Sequence, residues 1–453
     1  MIKYFGTDGI RGVVGKTPIT ADFFFKLGAV IGKILYFYDV KKIIIGRDTR
    51  LSSYMLEEAL QFGLSLVGVS VISVGVLPTP AISYFTKLFN LEVGVVISAS
   101  HNQFRDNGIK FFVKNGVKLS AKFERRIEKQ LNKTIILKQF VDLGHISYKR
   151  ALQQKYINFC ISTLPNNFRL NNFKIVLDCA NGSTYELAPI IFRELGANVV
   201  LMSAAPNGLN INDKCGTTDL QEIQRLVLSE KADLGISFDG DGDRVIMIDH
   251  FGNSVNGDQI LYILAKNYKK NKKLRGGVVG TKMSNGGLSL ALSKIGIPFI
   301  TVNIGDRYIF KKLKEKQWRL GAESSGHVIL LDYAPVGDGI ITSLQILKII
   351  FDENSTLKSL CSDIHMLPQI IINIKNNIDI SFLKNFKIQS VLSKYKDFLG
   401  KYSRIMLRLS GTEKCIRIMI EGCCSKKINI FSKMLINVIN SVKKSRFSII
   451  TMF

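Results

Sequence analysis

The stretch LGISFDGDGDRVIMID, Leu234–Asp249, decides how the rest of the chain is read. Leu234–Phe238 is a short, mainly apolar run, polar residues take over at Asp239, and a second apolar run starts at Val245. A strand that apolar is buried on both faces, which favours an α/β layer over a sheet with one wet face. Between the two runs Asp239, Asp241 and Asp243 alternate with Gly240 and Gly242. Alternate side chains of an extended loop fall on one side, so three carboxylates converge on one hard cation while the glycines let the backbone bend around it. An EF-hand loop does not fit: Arg244 stands where its turn glycine belongs and His250 where its bidentate Glu belongs. Three oxygens leave coordination positions open, which suits Mg2+ bridging to a phosphate, and Arg244 suits the same anion. The plainer alternative is a solvated acidic turn, against which stand the strands on both sides.

The same grammar recurs outward from this segment. KKIIIGRDTR (41–50), VGVVISAS (93–100), KIVLDCANG (174–182), GGVVGTKMSNGG (276–287) and PFITVNIGDRY (298–308) each read as a strand running into a polar loop. Amphipathic helical patterns such as SSYMLEEALQFGLSLVG and TYELAPIIFRELGA lie between them. This alternation predicts α/β layers with mainly parallel pairing, and the recurrence of strand-plus-loop pairs points to internal repetition. Toward the C-terminus QIIINIK, RIMLRLSG and CIRIMIEG alternate like an antiparallel sheet, so a separate α+β domain is expected there. Boundaries near Lys149, Gly252 and Leu367 divide the chain into 1–149, 150–252, 253–367 and 368–453.

With 453 residues, 46% of them hydrophobic, the chain has ample material for several cores. It shows no apolar run of membrane-helix length, and MIKYFGTDGIRG does not read as a signal peptide. Seven scattered cysteines fit a reduced cytoplasm. The net charge of +26 admits nucleic acid, an anionic surface or anionic substrates as partners. The lysines are spread widely, however, as in KNYKKNKKLRGG and FKKLKEKQWRL, without aromatic–basic interleaving or a nucleic-acid module.

Four further segments carry chemistry. VVISASHNQFRDNGIKFF (95–112) sets Ser98 and Ser100 two residues apart, the second against His101, but without the G-x-S-x-G elbow of a hydrolase. Lys110 in the same stretch reads either as a surface lysine or as a buried acid–base group. RLSGTEKCIR turns Ser410, Gly411 and Thr412 toward one centre flanked by Arg408 and Arg417, which suits a phosphate dianion as readily as it describes a plain hairpin turn. FGTDGIRG offers the same ingredients with Arg11. In GAESSGHVIL, Glu323 and Ser325 can hydrogen-bond vicinal sugar hydroxyls and His327 can move a proton, or the histidine is a satisfied structural one.

Taken together, FGTDGIRG, ISASHN, DNGIKFF, VLDCANGSTYELAP, NDKCGTTDL, DGDGDR, GTKMSNGG, GDRY, ESSGH and RLSGTE resemble the α-D-phosphohexomutase superfamily along essentially the whole chain and in its order. The wording is most similar to its bacterial glucosamine-phosphate branch; the same machinery serves mannose and glucose phosphates. The resemblance implies four domains around a central cleft, three of them related α/β units. It implies a phosphoserine at Ser100, with His101 as supporting structure, and Mg2+ on Asp239, Asp241, Asp243 and Ser100. It further implies a sugar bisphosphate as activator and intermediate in interconverting glucosamine 6-phosphate and glucosamine 1-phosphate, a step toward UDP-N-acetylglucosamine and cell-wall precursors. Lys110 and His327 would be the acid–base pair, and Arg11 and Arg244 would offset phosphoryl charge. Glu323 and Ser325 would read the sugar, while Arg408, Ser410, Gly411, Thr412 and Arg417 hold the non-reacting phosphate. A phosphosugar is then the expected partner, with no nucleic acid and no membrane, in a monomer or homodimer. Two departures stand out: Gln103 after SHN and Lys414 after SGTE replace the usual prolines, which removes a locked φ from each loop.

Overall fold

The computed structural model describes residues 4–6, 8–131, 133, 143–375, 384–400, 402–409 and 415–450. They fall into two compact units, Met1–Ser284 with Leu292–Asp363, and Asn285–Ala291 with Ile364–Phe453. Among the described residues no helix is long and apolar enough to cross a membrane.

The first unit holds three mixed sheets. The largest has eight strands, in the order Phe5–Gly6, Gly9–Val13, Asp106–Val113, Val93–Ile97, Lys42–Arg47, Ser70–Val76 and Ile146–Tyr148, with Val117–Lys118 beside Asp106–Val113. The second runs Asn198–Met202, Lys174–Asp178, Leu234–Phe238, Val245–Asp249 and Ser254–Val255. The third runs Phe299–Val302, Val278–Thr281, Leu320–Ala322 and Val328–Leu330. Val93–Ile97 and Leu234–Phe238 are buried along their whole length, as their composition requires.

The expectation of mainly parallel pairing is corrected by one recurring device. Val93–Ile97, Leu234–Phe238 and Leu320–Ala322 each pair in parallel with a preceding strand, then reverse through a short loop and return antiparallel. The closing pairs are Ile97↔Ile109, Phe238↔Val245 and Ala322↔Val328. Loops this short cannot make the crossover of about a dozen residues that a parallel return needs. The loops so formed carry Ser100, the aspartate triad and Glu323–His327, respectively. Helices set the frame behind them. Gly257–Lys270 begins with a capping box between Asn256 and Gln259, and Gly339–Asp352 is capped by Asp338 accepting from the Ile341 N–H at 2.9 Å.

The second unit is built on the antiparallel strands Gln369–Lys375, Cys415–Glu421 and Arg404–Leu409, as their alternating pattern predicts. Ile388, Ile416, Ile418, Phe431 and Leu435 form its core. The cross-strand partners Arg404 and Glu421 close a bidentate ion pair, Nε to Oε1 at 2.6 Å and Nη2 to Oε2 at 3.2 Å. Ser410, Gly411, Thr412 and Lys414 lie outside the described residues, as does the side chain of Arg408.

Candidate active site

The triad converges as its spacing predicts. Asp239, Asp241 and Asp243 are buried, and their ligand atoms lie within 4.8 Å of one another. The loop depends on its glycines: Gly242 has φ 69°, and a Cβ on Gly240 would stand 2.7 Å from the Ser100 carbonyl oxygen and from Asn212 Nδ2. Burial first, then the Asp243 and Asp241 charges, push the Asp239 pKa well above the usual carboxylate range. Burial also works against ionised Asp243, but Lys110, His327 and Arg244 outweigh it and hold that carboxyl well below its ordinary value. Among the described residues, Asp241 Oδ1 and Asp243 Oδ1 are buried with no hydrogen-bond donor. Three buried carboxylates with two open oxygens are a donor set that a hard divalent cation satisfies.

Ser100 faces this set directly. Its hydroxyl donates to Asp239 Oδ2 at 2.7 Å, and its backbone sits at φ 55°, a left-handed conformation that a non-glycine residue adopts only when its surroundings hold it there. The surroundings are plain. The Ser100 carbonyl accepts from Asn212 Nδ2 at 2.9 Å and from Arg50 Nη2 at 3.1 Å. The same two groups reach the Asn102 carbonyl, at 2.9 and 2.7 Å, and Arg50 Nη1 bonds the Gln103 carbonyl at 2.5 Å. Arg50 is itself fully buried and fixed by Asp48 Oδ2 at 2.9 Å. The loop is therefore pinned through its carbonyls, and Gln103 in place of proline costs it none of these anchors. Ser98, at the strand end, spends its Oγ on the Ser100 N–H at 2.9 Å.

Cations surround the carboxylates. Lys110 Nζ donates to Asp241 Oδ2 at 2.6 Å and Asp243 Oδ2 at 2.9 Å, with Asp8 Oδ2 at 3.5 Å. Burial lowers its pKa, but these three carboxylates outweigh burial and hold it well above the usual lysine value. Arg244 places Nε 3.9 Å from Asp239 and 3.8 Å from Asp243 without a hydrogen bond to either, and its Nη1 meets His101 Nδ1 at 2.9 Å. Burial, then the Arg244 and Arg11 charges, lower the His101 pKa to about 3, so the ring is neutral and accepts from Arg244. Arg11 pairs with Asp8, while its own Nε is buried and has no partner among the described residues.

His327 is buried against Asp243, with Nδ1 3.5 Å from Oδ1, and its Nε2 accepts from the Gly337 N–H at 3.1 Å. That amide fixes the proton of the neutral ring on Nδ1, facing Asp243. Burial lowers the His327 pKa, but Asp243 and then Asp306 outweigh it and raise the value. Glu323 is half-buried; its Oε1 accepts from the Gly305 N–H at 2.9 Å, and Ser325 is half-buried on the same hairpin. In the second unit, Arg408 and Arg417 are cross-strand partners next to the 410–414 segment.

Several residues of this assembly carried no assigned role in the sequence reading: Asp8, Arg50, Thr79, Lys118, Asn212 and Asp306. Thr79 donates its Oγ1 to Asp241 Oδ2 at 2.5 Å and its N–H to the Asp241 carbonyl at 2.9 Å. Lys118 pairs with both Asp8 and Asp306. Asp8, Arg50, Asn212 and Asp306 lie in motifs already visible in the sequence, such as GRDTR or GDRY, while Thr79 and Lys118 lie outside those quoted, and all six act across a long sequence separation that spacing does not report.

Models of the phosphoglucomutase/phosphomannomutase family match the chain in three consecutive pieces: α/β/α domain I over residues 2–136, domain II over 151–252 and domain III over 256–366. Phosphoglucosamine mutase of Buchnera aphidicola subsp. Acyrthosiphon pisum (strain Tuc7) is 52% identical over 421 residues, 93% of this chain and 95% of that one. The enzyme of the same name from Escherichia coli O7:K1 is 50% identical over 441 residues, 97% and 99% of the two chains. A phosphoglucomutase/phosphomannomutase family protein from Burkholderia thailandensis shares the fold with a TM-score of 0.79 at 22% identity, over 98% of both chains. An N-acetylphosphoglucosamine mutase from Aspergillus fumigatus does so at 0.67 and 16%, over 98% of this chain and 96% of that one.

Proposed function

The chain belongs to the phosphoglucomutase/phosphomannomutase family, and from that premise we propose that it interconverts glucosamine 6-phosphate and glucosamine 1-phosphate through a phosphoryl group carried on Ser100. The observation that carries the reading is the Ser100 hydroxyl 2.7 Å from Asp239, inside a buried carboxylate triad with two oxygens open. The substrate follows from the relatives at about half identity over nearly the whole chain, which bear the name phosphoglucosamine mutase.

In this reading the C1 hydroxyl oxygen of glucosamine 6-phosphate attacks the phosphorus on Ser100. The new O–P bond forms, the bond to Ser100 Oγ breaks, and the hydroxyl proton passes to a protein base. The resulting bisphosphate reverses in the site and returns its 6-phosphoryl group to Ser100. The C6 oxygen takes up a proton and glucosamine 1-phosphate leaves. Asp239, Asp241, Asp243 and the Ser100 side would hold Mg2+, which supplies charge stabilisation for the transferring phosphoryl. Arg244 and Arg11, each with an Nε that no described residue hydrogen-bonds, would complete the anion-binding wall. Sequence reasoning paired Lys110 and His327 as acid and base. To Lys110, whose ammonium already donates to two triad carboxylates, we assign delivery of the proton that the C6 oxygen takes up as the 6-phosphoryl group leaves it. To His327, packed on Asp243 and held by Gly337, we assign the orientation of that carboxylate. Neutral His101 orients Arg244.

Glu323 and Ser325 are the proposed readers of the sugar hydroxyls. Arg408 and Arg417, with Ser410, Gly411 and Thr412 between them, are the proposed holders of the phosphate that is not reacting. The setting proposed is cytoplasmic, upstream of UDP-N-acetylglucosamine synthesis. The test is direct: purified protein primed with a hexose 1,6-bisphosphate and Mg2+ is assayed with glucosamine, mannose and glucose phosphates. Highest kcat/KM is expected for glucosamine phosphate; faster turnover of mannose or glucose phosphate would overturn the substrate assignment.

A further inference from the structure

We propose that Lys118, Glu124, Asp306 and Arg307 form an ionic latch, inside the first unit, between the eight-stranded sheet that carries the Ser100 loop and the four-stranded sheet that carries the Glu323–His327 loop, and that the latch positions Glu323 over the reacting centre. Asp306 and Arg307 are adjacent at the start of the helix Asp306–Lys316, and each pairs with a residue packed on the eight-stranded sheet. Lys118 Nζ lies 2.5 Å from Asp306 Oδ2 and is also paired with Asp8. The Arg307 guanidinium forks onto Glu124, Nη2 to Oε1 at 2.6 Å and Nη1 to Oε2 at 3.5 Å. Glu124, on the helix Ala121–Leu131, is only 3% exposed, so it needs a charge partner of this kind.

The latch connects to chemistry at both ends. On one side Lys118 shares Asp8 with Arg11 and stands one carboxylate away from Lys110. On the other, the residue before Asp306 is Gly305, whose N–H holds Glu323 Oε1 at 2.9 Å. Asp306 Oδ2 is also 3.4 Å from His327 Nε2. A cavity of about 330 Å3 lined by Val117, Lys118, Ala121, Tyr308, Ile329 and Val336 lies beside these pairs. The two sheets and their helices therefore meet here through directed ion pairs beside an open cavity rather than through a filled apolar seam. Group transfer between a serine on one sheet's loop and a sugar read by the other's needs their separation fixed, because small misplacements are costly in rate. None of the four residues need touch the substrate; they act through Gly305 and Glu323, which makes them positioning residues.

The inference rests on the proposed role of Glu323, and the experiment separates the two. Full-length Arg307→Ala, the charge-swapped Glu124→Arg/Arg307→Glu pair and Glu323→Gln are compared with the parent for kcat and KM on glucosamine 6-phosphate. Mg2+ affinity, measured by titrating the metal alone, is the control, since no latch residue touches the triad except through His327 or Lys110. Arg307→Ala should raise KM about tenfold, the scale of a typical coupling between sites, with Mg2+ affinity unchanged. The swapped pair, which also serves if Arg307→Ala folds poorly, should recover most of that loss. The latch is refuted if Arg307→Ala leaves KM alone or weakens Mg2+ binding as much as it raises KM. It is also refuted if the swapped pair folds as stably as the parent yet binds sugar no better than Arg307→Ala. An unchanged KM in Glu323→Gln would instead remove the sugar-reading role on which the latch depends.

Discussion

Asp239 Oδ2 accepts the Ser100 hydroxyl at 2.7 Å, joining residues 139 apart in sequence and two separate hairpins at one point. That contact places the proposed phosphoryl carrier against the proposed metal site. Ser98, by contrast, is spent on the Ser100 N–H. Incubation with a hexose 1,6-bisphosphate should add one phosphoryl group, read by intact mass, to the parent and to Ser98→Ala. Ser100→Ala should take up none and lose mutase activity by orders of magnitude, for lack of a covalent carrier. Labelling of Ser100→Ala together with retained turnover would refute the mechanism.

Asp241 is the central member of the triad, with Oδ1 open and Oδ2 taken by Thr79 and Lys110. Asp241→Asn keeps the side chain's size and removes one anionic ligand. Turnover should fall by about a hundredfold or more, the scale of losing a charge-stabilising group, while the circular dichroism spectrum stays that of the parent. The Mg2+ concentration for half-maximal activity should rise. A parental metal titration would show that the triad is not the metal site.

How much of this was legible beforehand differs between parts. The triad could be read because its ligands sit on consecutive alternate residues of one loop. Strands Val93–Ile97 and Leu234–Phe238 could be read because both their faces are apolar. The antiparallel return after each functional loop could not, since an apolar strand looks the same in either direction and only loop length distinguishes the two. Arg50 and Asn212 escaped for another reason. They act on the carbonyls of Ser100 and Asn102, and a bond to backbone leaves no complementary residue type in the sequence. His327 illustrates the limit of motif reading: the residue was found, but its burial between Asp243 and Gly337 appears only in three dimensions.

The carbonyl anchors make a prediction of their own. Asn212→Ala removes the two 2.9 Å bonds to Ser100 and Asn102, while Arg50 still holds both acceptors. The fold should survive and the serine should lose its exact aim. We expect kcat to drop about a hundredfold with little change in KM, as for a small displacement of a reacting group. A parental kcat would mean that Arg50 alone fixes the loop.

Asp338 supplies a test through pH. It caps the helix Gly339–Asp352 and accepts the Tyr156 hydroxyl at 2.6 Å, and burial raises its pKa from 3.8 to about 6 even though Tyr156 and the helix N–H groups work downward. Below the lower value the carboxyl is protonated in both folded and unfolded chains and contributes no pH dependence. Between the two values the folded protein keeps a proton that the unfolded chain has released, so this group's contribution to stability falls as pH rises through that window and levels off above it. A shift of about two units corresponds to a cost of about 3 kcal/mol at neutral pH. Asp338→Asn cannot ionise, and asparagine still offers an oxygen to the Ile341 N–H and an amide group that can turn to the Tyr156 oxygen. Asp178, also raised to about 6 by burial, keeps its own share of the slope in both proteins. Urea midpoints measured from about pH 4 to about pH 7 should therefore show Asp338→Asn gaining on the parent as pH rises, then holding a constant lead above about pH 6. A difference that stays constant across the whole range would show that Asp338 ionises as readily in the folded protein as in the unfolded chain.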